Sequence, residues 1–259
     1  MTYKVPKLYT TFAKYYDRLE SQYRDYEKDS RWISETLASN QVRNVLDVSC
    51  GTGSHVSKLS ALNPGLEIFA MDSSSEMLGI AGSKVHNQEF PVLRADFLNF
   101  PFINSSFDAS ICMYWSLAGL DEGLALKLFR GLASILCSGG LLLFDVENAE
   151  GIKENLIDAP FIDSFFQDEE GRSIIRANYS RKIEPDLVDW HAYYLVEEDG
   201  VSELTEDRMT LRFYSRSQLE RLLSQAGFET ISVSSGPFQE YRTNSPSLYF
   251  IARKRREVG

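Results

Sequence analysis

The sequence is poor in cysteine, in histidine and in long apolar runs. Three cysteines and three histidines occur among 259 residues, widely spaced: Cys50, Cys112, Cys137, His55, His86 and His191. The cysteine spacing predicts reduced thiols and no disulfide framework. The histidines have no metal-ligand spacing with one another or with the cysteines, so no metal site is predicted. No apolar run is long enough to cross a bilayer.

Basic charge is also scarce. The net charge of −10 argues against a general nucleic-acid binder, which usually presents a basic face. The one basic cluster, residues 253–256, is interpreted as a solvated tail. The first six residues lack the apolar core of a signal peptide. We therefore expect a cytoplasmic protein with no nucleic-acid or membrane partner, and a homodimer is a possible assembly.

A glycine-containing turn organises the rest of the chain. A short apolar run, Val45–Val48, precedes Gly51 and Gly53, and a helical pattern follows from residue 54. A strand, a glycine turn and a helix bring bare backbone N–H groups and a helix N-terminus to a ligand. The alternative is an ordinary tight turn between a strand and a helix.

Two features of this turn favour one cofactor class over another. A dinucleotide fingerprint requires a third glycine where the chain has Val56. Asp47 at the strand end would repel a pyrophosphate, whereas it suits a ligand that carries an amino group and a sulfonium. This pattern favours S-adenosylmethionine (SAM) over NAD, although an NAD-dependent oxidoreductase stays open as a third possibility.

The segment Leu46-Asp47-Val48-Ser49-Cys50-Gly51-Thr52-Gly53 resembles the first motif of the class I SAM-dependent methyltransferases. The family usually has glycine where this chain has Ser49, which is expected to narrow the pocket. The resemblance implies that SAM, and the product S-adenosylhomocysteine, contact a set of residues in this turn: Asp47, Ser49, Cys50, Gly51 and Gly53.

A second acid lies at the end of the next predicted strand, residues 67–71. Asp72 follows Gly53 by 19 residues and is suited to accept both ribose hydroxyls of an adenosyl group. The family resemblance continues through Asp72-Ser73-Ser74-Ser75-Glu76-Met77-Leu78 and adds Ser73 and Met77 to the cofactor contacts. A capping aspartate is the alternative.

Two further contact groups are implied for the cofactor. Asp96 and Phe97 follow a predicted strand at residues 90–95 and match the pair with which the family binds adenine. A predicted helix over residues 8–39 resembles the cap of small-molecule methyltransferases, in which a tyrosine closes over SAM. Tyr15 or Tyr16 is the candidate, and a helix that only packs its aromatics on the core is the alternative.

The predicted reaction loop follows the fourth strand, residues 107–113. Met113 is the last residue of that strand and Tyr114 follows it, at the edge where open α/β sheets hold their ligands. Both are expected to contact the cofactor. A helix over residues 121–137, closed by Gly139 and Gly140, leads to a fifth strand at residues 141–147. Its terminal Glu147 is expected at the same rim as Tyr114.

The last third of the chain predicts an inserted antiparallel sheet. Period-two patterns indicate strands at 173–182, 187–197 and 203–213, and a terminal hairpin at 228–235 and 247–254. The fold class is α/β, with a Rossmann-like seven-stranded methyltransferase sheet, a terminal β-hairpin and the insert. The four parts are a helical cap (1–40), a SAM-binding core (41–159), an inserted sheet covering the substrate (160–213) and a C-terminal helix with hairpin (214–259).

This order of elements resembles the sugar-amine N,N-dimethyltransferases and the glycine/sarcosine N-methyltransferases. We expect methyl transfer from SAM to a small-molecule acceptor, most readily an amine nitrogen. Tyr114, His191 and Glu147 are the candidate catalytic residues, and Trp190, Tyr193 and Tyr214 are a candidate alkylammonium cage. O-methylation and a non-catalytic SAM-binding regulator are the alternatives.

Overall fold

The computed structural model describes residues 6–84, 90–151 and 159–256. The larger of its two sheets has seven strands: β1 (Asn44–Asp47), β2 (Glu67–Asp72), β3 (Val92–Arg94), β4 (Phe107–Cys112), β5 (Leu136–Glu147), β10 (Phe228–Ser234) and β11 (Ser247–Lys254). Their order across the sheet is β10-β11-β5-β4-β1-β2-β3. Strands β1 to β5 run parallel, while β11 is antiparallel to both β5 and β10. The predicted methyltransferase sheet and its terminal hairpin are confirmed.

Both faces of this sheet are covered, as parallel sheets require. Neighbouring residues of β1 enter opposite cores: Val45 packs with the helices α2 (Tyr26–Ser39) and α3 (Ser54–Leu62), whereas Leu46 packs with α5 (Glu122–Ile135) and α6 (Arg216–Gln225). The remaining helices are α1 (Tyr16–Glu20) and α4 (Ser75–Lys84). With both faces packed, the carboxyl ends of the parallel strands are where a site is expected.

The N-terminal segment differs from the single predicted helix over residues 8–39. Two short 3₁₀ turns, Lys7–Tyr9 and Ala13–Tyr15, precede α1, and the chain turns again before α2. Asp25 ends that turn because its side chain accepts a hydrogen bond from the backbone N–H of Lys28 at 3.0 Å and caps α2. The aromatics at the start of the segment pack on the inserted sheet.

The inserted sheet has four antiparallel strands, one more than predicted. They are β6 (Phe161–Gln167), β7 (Ser173–Glu184), β8 (Leu187–Glu198) and β9 (Val201–Arg212). Strand β6 is missing from the prediction because a register shift between Ile162 and Ser164 breaks its alternation of apolar and polar residues.

The junction of α5 and β5 also differs from the prediction. The helix ends at Ile135 and the strand begins at once, so the predicted helix end at Cys137 and the glycine cap are wrong. Gly140 has a different role, because a Cβ there would lie 3.0 Å from the backbone oxygen of Asp108. The glycine permits close approach of neighbouring strands, where the pairing of β4 and β5 shifts register.

Candidate active site

The glycine turn lies between β1 and α3. Gly51 has φ +53° and Gly53, which precedes the first residue of α3, has φ +75°. Both angles favour glycine. A Cβ on Gly53 would in addition lie 3.1 Å from the Cβ of Ala81 in α4, whereas a Cβ on Gly51 would meet nothing within 4 Å. The turn is therefore shaped by backbone conformation and by the close approach of α4.

Asp72 is joined to this turn by hydrogen bonds to its side chain. Its carboxylate accepts from the backbone N–H of Gly51 at 3.0 Å and from that of Ser74 at 2.9 Å. Burial nevertheless raises the pKa of Asp72. Ser73 beside it is exposed, and the hydroxyl of Ser74 accepts from the backbone N–H of Met77 and caps α4.

Asp47 is 1% exposed at the end of β1. Its side chain accepts one hydrogen bond, from the backbone N–H of Ser49 at 3.2 Å. Burial, reinforced by the charge of Asp72, raises the pKa of Asp47 to about 7. Two acids in one enclosure form a site that favours a cation over a pyrophosphate.

Ser49, the departure from the usual family motif, is tied to the loop after β4. Its hydroxyl lies 2.7 Å from that of Ser116 and 3.7 Å from the sulfur of Cys112. Cys112 is a buried strand residue whose pKa is raised to about 12 by burial. The Ser49 side chain thus cross-links the two loops that meet at the end of the sheet.

Tyr114 and Trp115 both have left-handed backbones, with φ of 63° and 58°. Asp145 on β5, which is fully buried, holds them there: its Oδ1 accepts from the backbone N–H of Tyr114 at 2.6 Å and of Trp115 at 3.4 Å. Two consecutive strained residues at a strand end are typical of functional loops. The hydroxyl of Tyr114 donates to Glu20 at 2.6 Å.

Arg24 is a buried cation that no sequence pattern singles out. It forms ion pairs with Asp29 and with Asp145, the latter at 2.6 Å, and its guanidinium lies 5.1 Å from the centre of the Tyr114 ring. Its Nη2 has no hydrogen-bond partner among the described residues, and neither has the buried hydroxyl of Tyr26. These donors are available to an anionic group of a ligand.

The two candidate lid tyrosines have different environments. The ring of Tyr16 lies 6.3 Å from that of Tyr114 and 6.0 Å from that of Tyr9, and burial raises its pKa. The ring of Tyr15 instead packs on Phe166 of the inserted sheet, and its hydroxyl donates to Asp168 at 2.8 Å. Tyr16 is therefore the one that faces the reaction loop.

The next residue, Asp17, joins the N-terminal segment to the glycine turn. Its carboxylate accepts from the hydroxyls of Thr52 at 2.5 Å and Ser54 at 3.0 Å, and it pairs with Lys84 at the end of α4. The segment thus lies directly against the turn and its helix.

The other predicted cofactor residues divide into a buried and an open group. Cys50, Met77 and Met113 are buried hydrophobic residues of the described core. Asp96 is exposed and accepts from the backbone N–H of Leu98 at 2.8 Å, and Phe97 packs against the core from the same loop. The adenine contacts assigned to this pair stay a prediction.

Glu147 ends β5, two residues after Asp145 and on the same side of the strand. Its Oε2 is buried and has no hydrogen-bond partner among the described residues. Burial, with the charge of Asp145, raises its pKa to about 8. An unpartnered carboxylate at this rim is a potential proton acceptor.

The structure does not bring His191 to this rim. Its ring stacks on Tyr179 with centroids 4.7 Å apart and contacts Asp189 at 3.1 Å and Glu206 at 3.3 Å, on the outer face of the inserted sheet. Trp190 faces inward, so the alternation of side chains along β8 separates the two.

The predicted alkylammonium cage is wrong for the same reason. Tyr193 shares the outer face with His191, opposite Trp190. Tyr214 is 1% exposed in the core, with its hydroxyl donating to the backbone oxygen of Leu120 at 2.7 Å. The three rings do not meet.

The described residues contain neither a metal-binding cluster nor a long apolar helix. In residues 6–84, 90–151 and 159–256, no group of three or more His, Cys, Asp or Glu side chains could hold a metal ion. His86 lies outside these ranges. The same part of the chain contains no helix with the length and apolar character needed to cross a membrane.

Comparison with known proteins agrees with this geometry. Residues 45–140 match the family model of the methyltransferase domain. The putative methyltransferase YqeM of Bacillus subtilis is 27% identical over 254 residues, covering 97% of this chain and 99% of YqeM. A glycine/sarcosine N-methyltransferase of Parasynechococcus marenigrum is 26% identical over 251 residues, with 94% and 83% covered.

Solved structures share the fold. A SAM-dependent methyltransferase from Clostridium acetobutylicum has a TM-score of 0.78 at 23% identity, covering 95% of this chain and 99% of that one. A sugar N-methyltransferase from a Streptoalloteichus species has a TM-score of 0.76 at 22% identity, covering 99% and 96%.

The residues present fit SAM. Asp47 and Asp72 offer carboxylates to its cationic and hydroxyl groups, and Arg24 and Tyr26 offer unpartnered donors to its carboxylate. The chain therefore carries a methyltransferase domain at residues 45–140, and its sheet and glycine turn have the fold of the SAM-dependent methyltransferases.

Proposed function

We propose that this enzyme transfers the methyl group of SAM to the amine nitrogen of a small-molecule acceptor. The observation that carries the proposal is the buried Oε2 of Glu147 at the end of β5, which has no hydrogen-bond partner among the described residues and lies on the same rim as Tyr114. A hydroxyl acceptor usually needs a stronger base or a metal.

Glu147 has the properties that an amine acceptor requires. An amine attacks only when neutral, so the proton of the incoming ammonium has to be removed. A base works best when its pKa lies near the operating pH, and burial has raised the pKa of Glu147 to about 8. An ordinary solvent-exposed carboxylate would be too weak a base for this task.

Tyr114 does not fit the role of base. Burial and the nearby charge of Glu20 raise the pKa of Tyr114 far above neutrality. The phenol therefore keeps its proton, and its role in the proposal is to orient the acceptor by hydrogen bonding. His191 takes no part because it lies on the outer face of the inserted sheet.

Proximity carries much of the rate. When bound, SAM supplies an electrophilic methyl group, and the protein has to hold the acceptor beside it and exclude water. We assign cofactor binding to the predicted turn residues together with Arg24 and Tyr26, and a covering role to Tyr16. Tyr15 supports the cover from the side of the inserted sheet.

The four-part division of the chain (1–40, 41–159, 160–213, 214–259) is kept as a proposal, with residues 1–5, 85–89, 152–158 and 257–259 outside the described ranges. The inserted sheet and the N-terminal segment share one apolar cluster, so we treat them as a joint cover over the acceptor. The three free cysteines agree with a reducing, cytoplasmic location. A homodimer stays a prediction.

Similar proteins support an amine acceptor. The glycine/sarcosine N-methyltransferases of Parasynechococcus marenigrum and Aphanothece halophytica align over 94% of this chain. The fold neighbours include a sugar N-methyltransferase and an amino pentose methyltransferase. These names concern those proteins, and they supply the first acceptors to try.

The test is product analysis by mass spectrometry, with methyl-labelled SAM, amino sugars, small amino acids and hydroxylated counterparts lacking the amine. We expect label on nitrogen, a rate that rises through about pH 8 as Glu147 ionises, and loss of that rise in Glu147→Gln. The control is Glu150→Gln, the same change at an exposed neighbour. Label on oxygen alone would assign O-methylation, and SAM binding without any transfer would favour a regulator.

A further inference from the structure

Three charged side chains link the inserted sheet to the reaction loop. Arg176 on β7 is 2% exposed and donates to Glu20 at 2.5 Å and to Asp163 at 2.9 and 3.0 Å. Glu20, the last residue of α1, uses its other carboxylate oxygen to accept from the Tyr114 hydroxyl at 2.6 Å. The chain of contacts runs Asp163–Arg176–Glu20–Tyr114 across three parts of the molecule.

The direction of each hydrogen bond in this series of contacts is fixed by the residue types. An arginine can only donate hydrogen bonds and an ionised carboxylate can only accept them. The hydroxyl of Tyr114 must therefore give its single proton to Glu20, and its oxygen is left with lone pairs alone. A ligand group that forms a hydrogen bond with this oxygen therefore has to be the donor.

The net charge of Asp163, Arg176 and Glu20 also favours a hydrogen-bond donor at Tyr114. Asp163 and Glu20 carry two negative charges, and Arg176 between them carries one positive charge, so one negative charge is left over. Asp163 has additional donors, the hydroxyl of Tyr23 at 2.9 Å and the side-chain amide of Asn178 at 2.5 Å. The uncompensated charge thus lies toward the Tyr114 end, in a buried setting where it favours a cation.

Backbone and ring contacts fix the position of Tyr114, and with it the position of its hydroxyl oxygen. Asp145 fixes its left-handed backbone, and its ring lies 6.3 Å from that of Tyr16 and 6.2 Å from that of Tyr26. Tyr26 in turn packs on His55 of α3, the helix that begins at the glycine turn. The phenol is therefore enclosed between the turn and the cover.

We propose that Glu20 and Arg176 are positioning residues that make the Tyr114 oxygen an obligate hydrogen-bond acceptor, selecting cationic N–H donors at the position of the transferred methyl group. Glu20 acts through Tyr114, and Arg176 acts through Glu20. The inference rests on the proposed function only in identifying the donor as the acceptor amine.

The test needs no identified acceptor. Sinefungin is a SAM analogue with an amine-bearing carbon in place of the methylsulfonium, whereas S-adenosylhomocysteine has nothing at that position. Calorimetric titration of both into one protein gives a preference ratio. We expect Tyr114→Phe and Glu20→Gln each to lower that ratio roughly tenfold, by weakening sinefungin and leaving S-adenosylhomocysteine unchanged, as for loss of one hydrogen bond to a charged group.

Two further variants separate positioning from general loss of structure. Arg176→Lys keeps the charge and should retain most of the preference. The double variant Glu20→Gln/Tyr114→Phe should lose no more than Tyr114→Phe alone, because both changes remove the same interaction. Glu27→Gln, an exposed carboxylate of α2, is the matched control and should leave the ratio unchanged.

Equal weakening of both ligands in Tyr114→Phe and Glu20→Gln would overturn the proposal, because the contacts would then be structural only. So would additive losses in the double variant, or an unchanged ratio in Tyr114→Phe, a conservative change that preserves the fold. A lowered ratio in an enzyme that methylates only hydroxyls would keep the positioning role and remove the amine assignment.

Discussion

The acids of the cofactor side and the charged contacts of the acceptor side differ in how far along the chain they reach. On the cofactor side, Asp47 bonds a residue two positions away, and Asp72 bonds residues 2 and 21 positions away. On the acceptor side, Glu20 bonds Tyr114 and Arg176, which are 94 and 156 positions away. A local motif builds the first, and tertiary packing builds the second.

The difference has an energetic counterpart. Burial raises the pKa values of Asp47 and Asp72 on the cofactor side. A cationic ligand would therefore stabilise their ionised forms. The charges of Arg176, Glu20 and Asp163 on the acceptor side are already paired with one another, whereas Oε2 of Glu147 has no partner in the described chain. Ligand binding should respond to changes at the cofactor-side acids, and folding to changes at charges that are already paired.

The largest expected effect is on folding, at the buried ion pairs of Arg24. Arg24→Ala leaves Asp29 and Asp145 buried without their cation, so we expect a loss of about 3–5 kcal/mol in the free energy of unfolding. Guanidinium titration followed by circular dichroism measures it.

The matched control is Arg43→Ala. Arg43 is also paired with an aspartate, Asp108 at 4.0 Å, but its side chain is 89% exposed, so its removal should leave stability almost unchanged. Similar losses in both variants would contradict the contrast between buried and exposed ion pairs.

The next effect belongs to the cofactor side and depends on pH. Asp47 is protonated in the free enzyme below its pKa of about 7, and the amino group of SAM favours the ionised form. Binding then releases a proton, so SAM affinity should rise by up to about tenfold per pH unit towards pH 7 and level off above it. Calorimetry in buffers of different ionisation enthalpy measures the proton release.

Asp47→Asn removes the titrating group and should flatten the profile, leaving only the contribution of Asp72, whose pKa is also raised. An unchanged slope in this variant would show that Asp47 does not titrate on binding.

The smallest effects concern two glycines, one in the turn before α3 and one on the exposed side of α4. Gly53→Ala should destabilise the fold by about 1–2 kcal/mol, because alanine is strained at φ +75° and its Cβ would lie 3.1 Å from that of Ala81. Gly79→Ala, on an exposed position of α4 with open space around it, should stabilise by about 0.5–1 kcal/mol. Thermal unfolding of both variants would show opposite signs, and a shared sign would contradict this account of the turn.

The sequence predicted the parallel sheet well because its signals are local. Apolar runs, the glycine turn and the acids at strand ends recur at short spacing, and β1, β2 and β4 were found within about one residue of their ends. The terminal hairpin was found for the same reason. The errors lie where context overrides local pattern, as at Gly139 and Gly140, which resemble a helix cap but lie in β5.

The acceptor side could not be predicted in this way. Nothing in the sequence around Glu20 or Arg176 distinguishes them from solvated charges, because their partners lie on other elements. The same is true of Arg24 beside the cofactor turn. Period-two alternation on β8 could have excluded a cage of Trp190 and Tyr193, since residues three apart face opposite sides of a strand. Consecutive left-handed residues at Tyr114 had no sequence signal, as both are bulky aromatics.

Calorimetric titration of SAM into the wild type, Asp72→Ala and Glu147→Gln tests most directly the claim that the two sides are separable. Asp72→Ala should weaken SAM roughly 100-fold, because a carboxylate suited to the ribose hydroxyls is lost, while Glu147→Gln should bind SAM as the wild type does and fail only in transfer. Loss of SAM binding in Glu147→Gln, or wild-type affinity in Asp72→Ala, would contradict this division of the site.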